Sequence, residues 1–545
     1  MPSGIVTNEK NSHYEITYEH PWGGVASDAY KTDIAPNQFQ QCDGLVIKDG
    51  LLCAAVYDNL AILRGILPNT TQIMFTFNIG YNLYCITDGG TILVYVIGTG
   101  WVQDQVNGAC SLASCVQVIA GVAYIFSYFA GASFVYTPGI SFVLGSNYVG
   151  GIYCCVLDQY LLTAVTNQPT DTPPAKANRI NWSSPDGFTT WDPSIDRTAG
   201  FNVLADVQDY ISAIFTMGNV GYVLRSQGLT QMSPTGVGIQ PFDFTPLWSS
   251  EWGIGCTMPG SFAQYGPMAI WANDTNIYAF TGGGAPQAIT GAAKKAIYQD
   301  LAGAVNNGLF STKGVCATIS SQTATPSSAG QSTPDLLYTL CILQFNTSSI
   351  SYVANLIFWT YNINSGQWQR IVKQYFGSGN LSSHFTMSMA TLYVPVQNVG
   401  LMYYAPCPIV TLYIAATAAQ NYFLTRYQSD ILLSQSAPNG PGNFNLIFKA
   451  QDLKIARQPN VRGVAILACA SGAGSFTIHV NLLNAHNDVT AFSDVVVNST
   501  TPKWYISNGM YTGYMPQLQL ISNSGFNGVI IKVVEYGTTA EGELP

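Results

Sequence analysis

Asp186, Asp192, Asp196 and Asp206 lie close together in the chain and are the residues best spaced to raise acid–base chemistry. Glycoside hydrolysis needs two carboxyl groups facing each other across a cleft. Asp192 and Asp196, however, fall in WDPSIDR, where the Asp-Pro and Asp-Arg steps read as turn-making. The histidines, at 13, 20, 384, 479 and 486, have no Ser or Cys nucleophile motif beside them, and no HExxH occurs. Cys110 and Cys115 lack paired Cys or His partners at metal-ligand spacing. Gly282, Gly283 and Gly284 are not followed by GK[ST] and read as a strand turn rather than a phosphate loop. The expectation is a chain with no catalytic residue, no metal and no cofactor.

Aromatic residues are the other candidates. Trp182, Trp191, Trp248, Trp252 and Trp271 could line a sugar site, but at this density they read as core and inter-sheet packing. The candidate residues are therefore framework or interface positions: Trp182, Trp191, Asp192, Arg225, Glu251, Trp271 and Tyr278.

These side chains must be held by strands. From 36 to 415 one apolar run follows another, as in LVIKDGLLCAAV, LAILRGILP and TQIMFTFNIGYNLYCITDGGTILVYVIGTGWV, with Asn, Asp, Gly and Pro between them. A loose module recurs in GYNLYCITDGGTILVYVIG, GPMAIWANDTNIYAFTGG and SYVANLIFWTYNINSGQWQRIV: an apolar strand, a turn, then a Tyr-rich strand. Radially arranged four-stranded sheets explain it, because each sheet needs neighbours on both faces. The predicted fold is all-β, with a β-propeller-like domain over 36–415 and a β-sandwich-like domain over 416–545 ending in a short polar tail. The sandwich expectation rests on FNLIFKA, VRGVAILACA, SFTIHVNLLN and GVIIKVVEY. Residues 1–35 read as an arm, either packed on a neighbour or forming an edge strand. The best helical pattern is 290–307, with Ala292, Ile297, Leu301 and Val305 near helical spacing and a stop at Asn307-Gly308. Residues 318–335 are Ser-, Thr-, Pro- and Gly-rich and read as an exposed loop.

Charge is the compositional outlier. Asp, Glu, Lys and Arg make up 9% of the residues, against about 25% in an ordinary soluble domain. A surface so weakly charged has little colloidal repulsion and suits a protein packed against its own copies or other partners. The net charge is −9 with only 20 Lys plus Arg, and the nearest thing to a basic cluster is Lys294 and Lys295. That argues against a tight grip on nucleic acid. A conduit through which nucleic acid passes is compatible, because a weakly acidic wall does not trap it. The 12 cysteines sit mostly in apolar runs and read as reduced, buried thiols made in the cytosol. The N-terminal stretch has no apolar signal-peptide core. The apolar stretch 116–149 is broken by Gly and Pro and reads as buried strands, so no stable membrane insertion is expected.

One segment carries a further likeness. It offers Asn178, Arg179, Trp182 and Ser183, then Trp191, Asp192, Pro193 and Gly200. Arg225 and Gly228 end a hairpin, and Pro241, Phe242 and Phe244 begin a crossing that continues through Glu251, Gly253, Gly255, Cys256, Pro259 and Gly260. Trp271, Ile277, Tyr278, Gly283, Pro286 and Ile289 close it. In this order the residues of 157–297 resemble the propeller-type neck and tail proteins of short-tailed bacteriophages, including the packaged-DNA stabilisation or stopper family. The WGG at 22–24 resembles the lead-in of the same proteins. The resemblance implies a structural virion protein, a tail nozzle or stopper. It implies a hexameric ring of copies on the portal–adaptor channel, in contact with portal, adaptor and other tail proteins, which retains packaged DNA and passes it at infection. Arg225 and Glu251 would then be structural or interface charges. A receptor- or glycan-binding spike at a virion vertex is the alternative from a different class, and a glycoside hydrolase a more distant one.

Overall fold

The computed structural model describes residues 13–19, 22–27, 38–43, 45–48, 51–54, 56–59, 73–87, 90–96, 100–106, 113–127, 133–139, 143–145, 149–166, 176–185, 187–188, 190–206, 209–248, 253–307, 312–322, 335–347, 351–378, 381–398, 401–416, 421–428, 444–450, 459–470, 475–484, 486–512, 516–522 and 528–539. Within them the chain is almost entirely β, built from small antiparallel sheets. Five consecutive four-stranded meanders occupy 73–106, 113–145, 153–203, 211–248 and 263–288, called here the first to fifth sheets. Their order is the order of the chain because short turns permit only neighbouring antiparallel pairing. Ala120 and Gly121 show how tight these turns are: both have positive φ (48° and 82°), and they join strands Ala113–Ile119 and Val122–Ser127. That turn falls within the 116–149 stretch, whose described residues form strands and turns. No helix among the described residues is long and apolar enough to cross a membrane.

The sixth sheet comprises Val315–Gln322, Asp335–Thr347, Ser351–Asn362 and Gln367–Ser378. The exposed loop expected over 318–335 is strand at both of its ends: Thr318 pairs with Thr339 and Gln322 with Asp335, and 323–334 lie outside the described residues. The β-branched and apolar residues of VCATIS outweigh the Ser/Thr bias that suggested a loop. The seventh sheet is discontinuous in sequence. Leu381–Asn398, Leu401–Ala416 and Asn421–Gln428 form three strands, and the fourth is Val56–Asn59 from near the start of the chain. The domain boundary expected between 415 and 416 thus falls inside one sheet.

The leading strands of successive sheets touch. Ile73–Ile79 lies against Ala113–Ile119, which lies against Tyr153–Leu157, which lies against Ile211–Met217. Ala263–Tyr265 contacts Val315–Gln322, which contacts Leu381–Asn398, and that strand returns to Ile73–Ile79. The fourth and fifth sheets share a core of Phe215, Leu224, Trp271 and Phe280. Burying one such side chain contributes roughly 1.5–3 kcal/mol, so the faces between sheets are the main source of cohesion.

The sixth sheet also continues sideways. Gln367–Ser378 pairs in parallel with Gln41–Asp43, followed by Phe444–Ala450, Gln517–Ser522, Phe476–Leu483 and Val489–Ala491. A separate sheet runs Leu45–Lys48, Leu51–Ala54, Gly528–Thr539, Pro459–Ala470 and Lys503–Thr512, with His13–Glu19 on the free side of Gly528–Thr539. Both sheets bury their alternating apolar residues in one core that includes Tyr18, Trp22, Phe39, Phe448, Ile466, Ile478 and Val533. The expected N-terminal arm thus supplies a strand to the C-terminal sheet and Trp22 to its core.

The helix is shorter than its sequence pattern. Residues Lys294–Ala302 are α-helical after a short turn at Gly291–Ala293, and Ile297 and Leu301 face the core. It stops at Gly303, whose N–H bonds the carbonyls of Asp300 and Leu301, before the stop expected at Asn307-Gly308. A Cβ on Gly303 would meet Gln344 Nε2 at 2.7 Å, so the helix ends where the sixth sheet approaches its backbone.

Candidate functional site

The aromatic candidates sit at three successive seams. Trp191 is buried between the second and third sheets, edge-on to Phe126 at 5.8 Å, and its indole N–H donates to the Phe188 carbonyl at 3.2 Å. Trp182 is buried between the third and fourth, edge-on to Phe242 at 5.6 Å, and donates to the Thr198 carbonyl at 3.0 Å. Trp271 is fully buried between the fourth and fifth and donates to the Ile254 carbonyl at 2.8 Å. Tyr278 lies beside it and donates from its hydroxyl to the Gly253 carbonyl at 3.3 Å. Each ring supplies apolar area to a seam while its polar atom ties down a loop.

Gly200 sits opposite Trp182 within the third sheet, and Gly260 sits against the first strand of the sixth sheet. A Cβ on Gly200 would stand 2.9 Å from Trp182 Cζ2, and one on Gly260 would stand 2.0 Å from the Val315 carbonyl oxygen. The backbone passes too close for any side chain.

Arg225 is buried and clamped by two carboxylates. Its Nη1 lies 2.5 Å from Asp206 Oδ1 and its Nη2 lies 2.6 Å from Asp209 Oδ1. Burial pushes the Asp209 carboxyl above its ordinary value, and the Arg225 guanidinium pulls it back only in part. Asp206 is thereby tied up in an ion pair. Asp192 is exposed and accepts the Ser194 backbone N–H at 2.8 Å, while Asp196 accepts both N–H and hydroxyl of Thr198 at 2.9 and 2.7 Å. These bonds hold both carboxyls below the ordinary Asp range, with the Ser194 and Thr198 side chains the first cause in each case. Glu251 and Asp186 lie outside the described residues.

A polar cavity that sequence reasoning missed lies elsewhere, where the helix, the sixth sheet and the C-terminal sheets meet. It encloses about 680 Å³, and its polar lining includes Gln40, Gln41, Lys295, Asn487, Gln517 and Gln519. At its wall, Asp300 accepts from Arg370 Nε at 2.8 Å and Nη2 at 3.0 Å, and from the Trp359 indole N–H at 2.8 Å. The Gln517 amide donates to Phe448 O at 2.8 Å and also to Gln40 Oε1. Asp300 is the one carboxylate among the described lining residues. The cavity can accept hydroxyl or amide groups, but a carboxylate already bonded to Arg370 and Trp359 is a poor general acid. The members come from positions hundreds of residues apart, so the one local signal was an Asp on the buried face of the helix.

Among the described residues, no group of three or more His, Cys, Asp or Glu is placed to hold a metal ion. The described cysteines are free thiols, and burial pushes the Cys256 thiol up to about 12.

No protein-family model matches this chain, and no curated protein matches it. Among solved structures, the chain is similar to the computationally designed Ika8 protein at 10% identity, over 66% of this chain and 96% of that one, with a TM-score of 0.34. It is also similar to an exo-beta-1,3-galactanase from Phanerochaete chrysosporium (9% identity, 90% and 100% covered, TM-score 0.25). A third likeness is to the Nup133 beta-propeller domain of Vanderwaltozyma polyspora (8% identity, 73% and 94% covered, TM-score 0.30). At these scores the likenesses are to loosely propeller-type architectures and carry no argument about activity.

Proposed function

We propose that this chain is a structural virion protein of a short-tailed bacteriophage neck or tail, a nozzle or stopper whose copies ring the DNA channel. In this reading the seven sheets close into a propeller, with Val56–Asn59 completing the last sheet, and the two C-terminal sheets form a sandwich docked on its side. Rigidity is what a channel wall needs, and strands from both ends of the chain in shared sheets supply it. The observation that carries the proposal is the use made of the residues behind the resemblance. Trp182, Trp191, Trp271 and Tyr278 fill seams, and Arg225 is locked between Asp206 and Asp209. These roles are mechanical. The low charge supports the reading too, since a wall carrying few cations lets DNA slide.

The role needs no cofactor and no catalysis. Its partners are other copies in a hexameric ring, the portal or adaptor, and neighbouring tail proteins. The chain is made in the host cytoplasm and resides in the virion. Electron microscopy of assembled particles tests this. A ring of this chain on the channel axis is expected; finding it only on peripheral fibres, or not in the particle, overturns the proposal.

A second reading, a glycan-binding vertex protein, is favoured by the polar cavity. Its glutamine and asparagine amides are groups that pair with sugar hydroxyls. Binding of the full chain to a panel of host surface glycans, abolished by Gln519→Ala, would support that reading over the nozzle.

A further inference from the structure

Cys115 has no cysteine or histidine partner at metal-ligand spacing in the sequence, but it has a thiol neighbour in space. It stands on Ala113–Ile119, the leading strand of the second sheet, and Cys154 stands on Tyr153–Leu157, the leading strand of the third. These two strands touch across a seam and belong to different sheets. Strand pairing shifts register between Ala113 and Cys115, an irregularity that re-aims the Cys115 side chain. The Cys115 thiol donates to the Gly151 carbonyl at 3.6 Å. A Cβ on Gly151 would lie 2.9 Å from Thr163 Cβ, and Thr163 is the cross-strand partner of Cys154.

Cys154 and Cys155 alternate along their strand. Cys154 packs, with Cys115, against the seam that holds Phe126 and Trp191, whereas Cys155 is buried in the next seam. Burial pushes the Cys154 thiol well above its ordinary value, and the Cys115 thiol, within side-chain hydrogen-bonding reach, is the next cause. Cys115 and Cys154 are both half-buried. A second pair, Cys316 and Cys341, stands in direct register on adjacent strands of the sixth sheet, but these two are only 6% and 0% exposed.

We propose that Cys115 and Cys154 are an oxidation-sensitive pair that closes to a disulfide and staples the second sheet to the third. The oxidant is the disulfide of a small thiol, RSSR. The Cys115 thiolate attacks one sulfur of RSSR, its S–S bond breaks, and the departing thiolate takes up a proton. Cys154 then gives its proton to water and attacks the Cys115 sulfur, and the second small thiolate leaves and is protonated in turn. Two protein thiols thus lose two electrons and two protons, and one RSSR becomes two RSH. A reducing compartment keeps the pair as thiols, and an oxidising one closes it. The bond closes a loop of about 40 residues and joins covalently two sheets that otherwise meet only by packing. The staple lies outside the nozzle reading and does not depend on it.

Incubating the folded full chain with oxidised glutathione, alkylating the remaining thiols in denaturant and mapping chymotryptic peptides tests it. A Cys115–Cys154 cross-link is expected, with tandem mass spectra separating Cys154 from Cys155, and Cys316 and Cys341 should be recovered alkylated. The melting transition should rise by about 2–4 °C, fall back with dithiothreitol and stay unmoved by oxidation in Cys115→Ala. Should that variant fail to fold, the peptide map and the reversible melting shift of the wild type decide. Cys115 and Cys154 both recovered alkylated, or carrying glutathione with no bond between them, overturn the proposal. A cross-link to Cys155, one between copies, one at Cys316 and Cys341 in its place, or a Cys115–Cys154 bond that does not raise the transition overturns it as well.

Discussion

Asn78 donates from its side-chain amide to the backbone carbonyl of Thr391 at 2.7 Å, a bond between residues 313 positions apart. Two residues back, Thr76 meets Ser388 twice, through its backbone N–H at 3.0 Å and its hydroxyl at 2.9 Å. Tyr81 packs edge-on against Tyr393 at 5.2 Å on the same seam. The first and seventh sheets are therefore joined by polar as well as apolar contacts. Beyond them, Val56–Asn59 ties the seventh sheet to the chain's beginning.

Removing that polar stitching should loosen the seam. Asn78→Ala is expected to lower stability by about 1–2 kcal/mol, because a partly buried carbonyl loses its donor. Ser388→Ala should cost a similar amount. Chemical denaturation reads both. Hydrogen exchange should show faster opening in both the first and seventh sheets, and a change confined to one of them would contradict a shared seam.

The Arg225 clamp predicts an asymmetric pair of variants. Asp209→Ala leaves a buried guanidinium short of its buried partner and should destabilise by about 3–5 kcal/mol. Asp206→Ala removes a carboxylate that is 42% exposed and should cost about 0–1 kcal/mol. Equal effects in thermal melts would mean that burial does not decide the worth of these pairs.

Two glycines give a contrast with the opposite expectation. Gly260→Ala drives a methyl into the Val315 carbonyl and should cost at least about 1–3 kcal/mol by overpacking. Gly238→Ala meets Thr198 only at ordinary contact distance and should stay within about 0.5 kcal/mol of wild type. Urea midpoints at constant slope measure both.

Asp192 and Asp196 set a pH dependence whose sign follows from their turn bonds. Both carboxyls are held below the ordinary value. Their contribution to the loop is thus fully present above the unfolded value of about 3.9 and is lost as pH falls through the lower folded value. Carboxyl-carbon NMR titration should place both midpoints below those of a model peptide. Ser194→Ala should raise that of Asp192 alone, and Thr198→Val that of Asp196 alone. A midpoint unmoved by its own partner's removal would refute the assignment.

Much of the architecture was legible along the chain because its causes are local. Alternation in FTIHVNL leads to the alternating burial of Phe476–Leu483, and turn residues such as Gly121 and Gly139 punctuate the apolar stretch 116–149 into strands. The density of tryptophan without convergent acids or histidines pointed toward packing. Sequence by itself determined the all-β class, the meandering order and the weak surface charge. Only the tertiary structure decided that Val56–Asn59 completes a sheet begun at Leu381, that His13–Glu19 lies against Gly528–Thr539, and that Asp300, Trp359 and Arg370 meet. Backbone hydrogen bonding is the same for every strand, so local pattern selects a strand but not its distant partner. Partner choice comes from complementary side-chain faces and loop closure over hundreds of residues, which no local window contains.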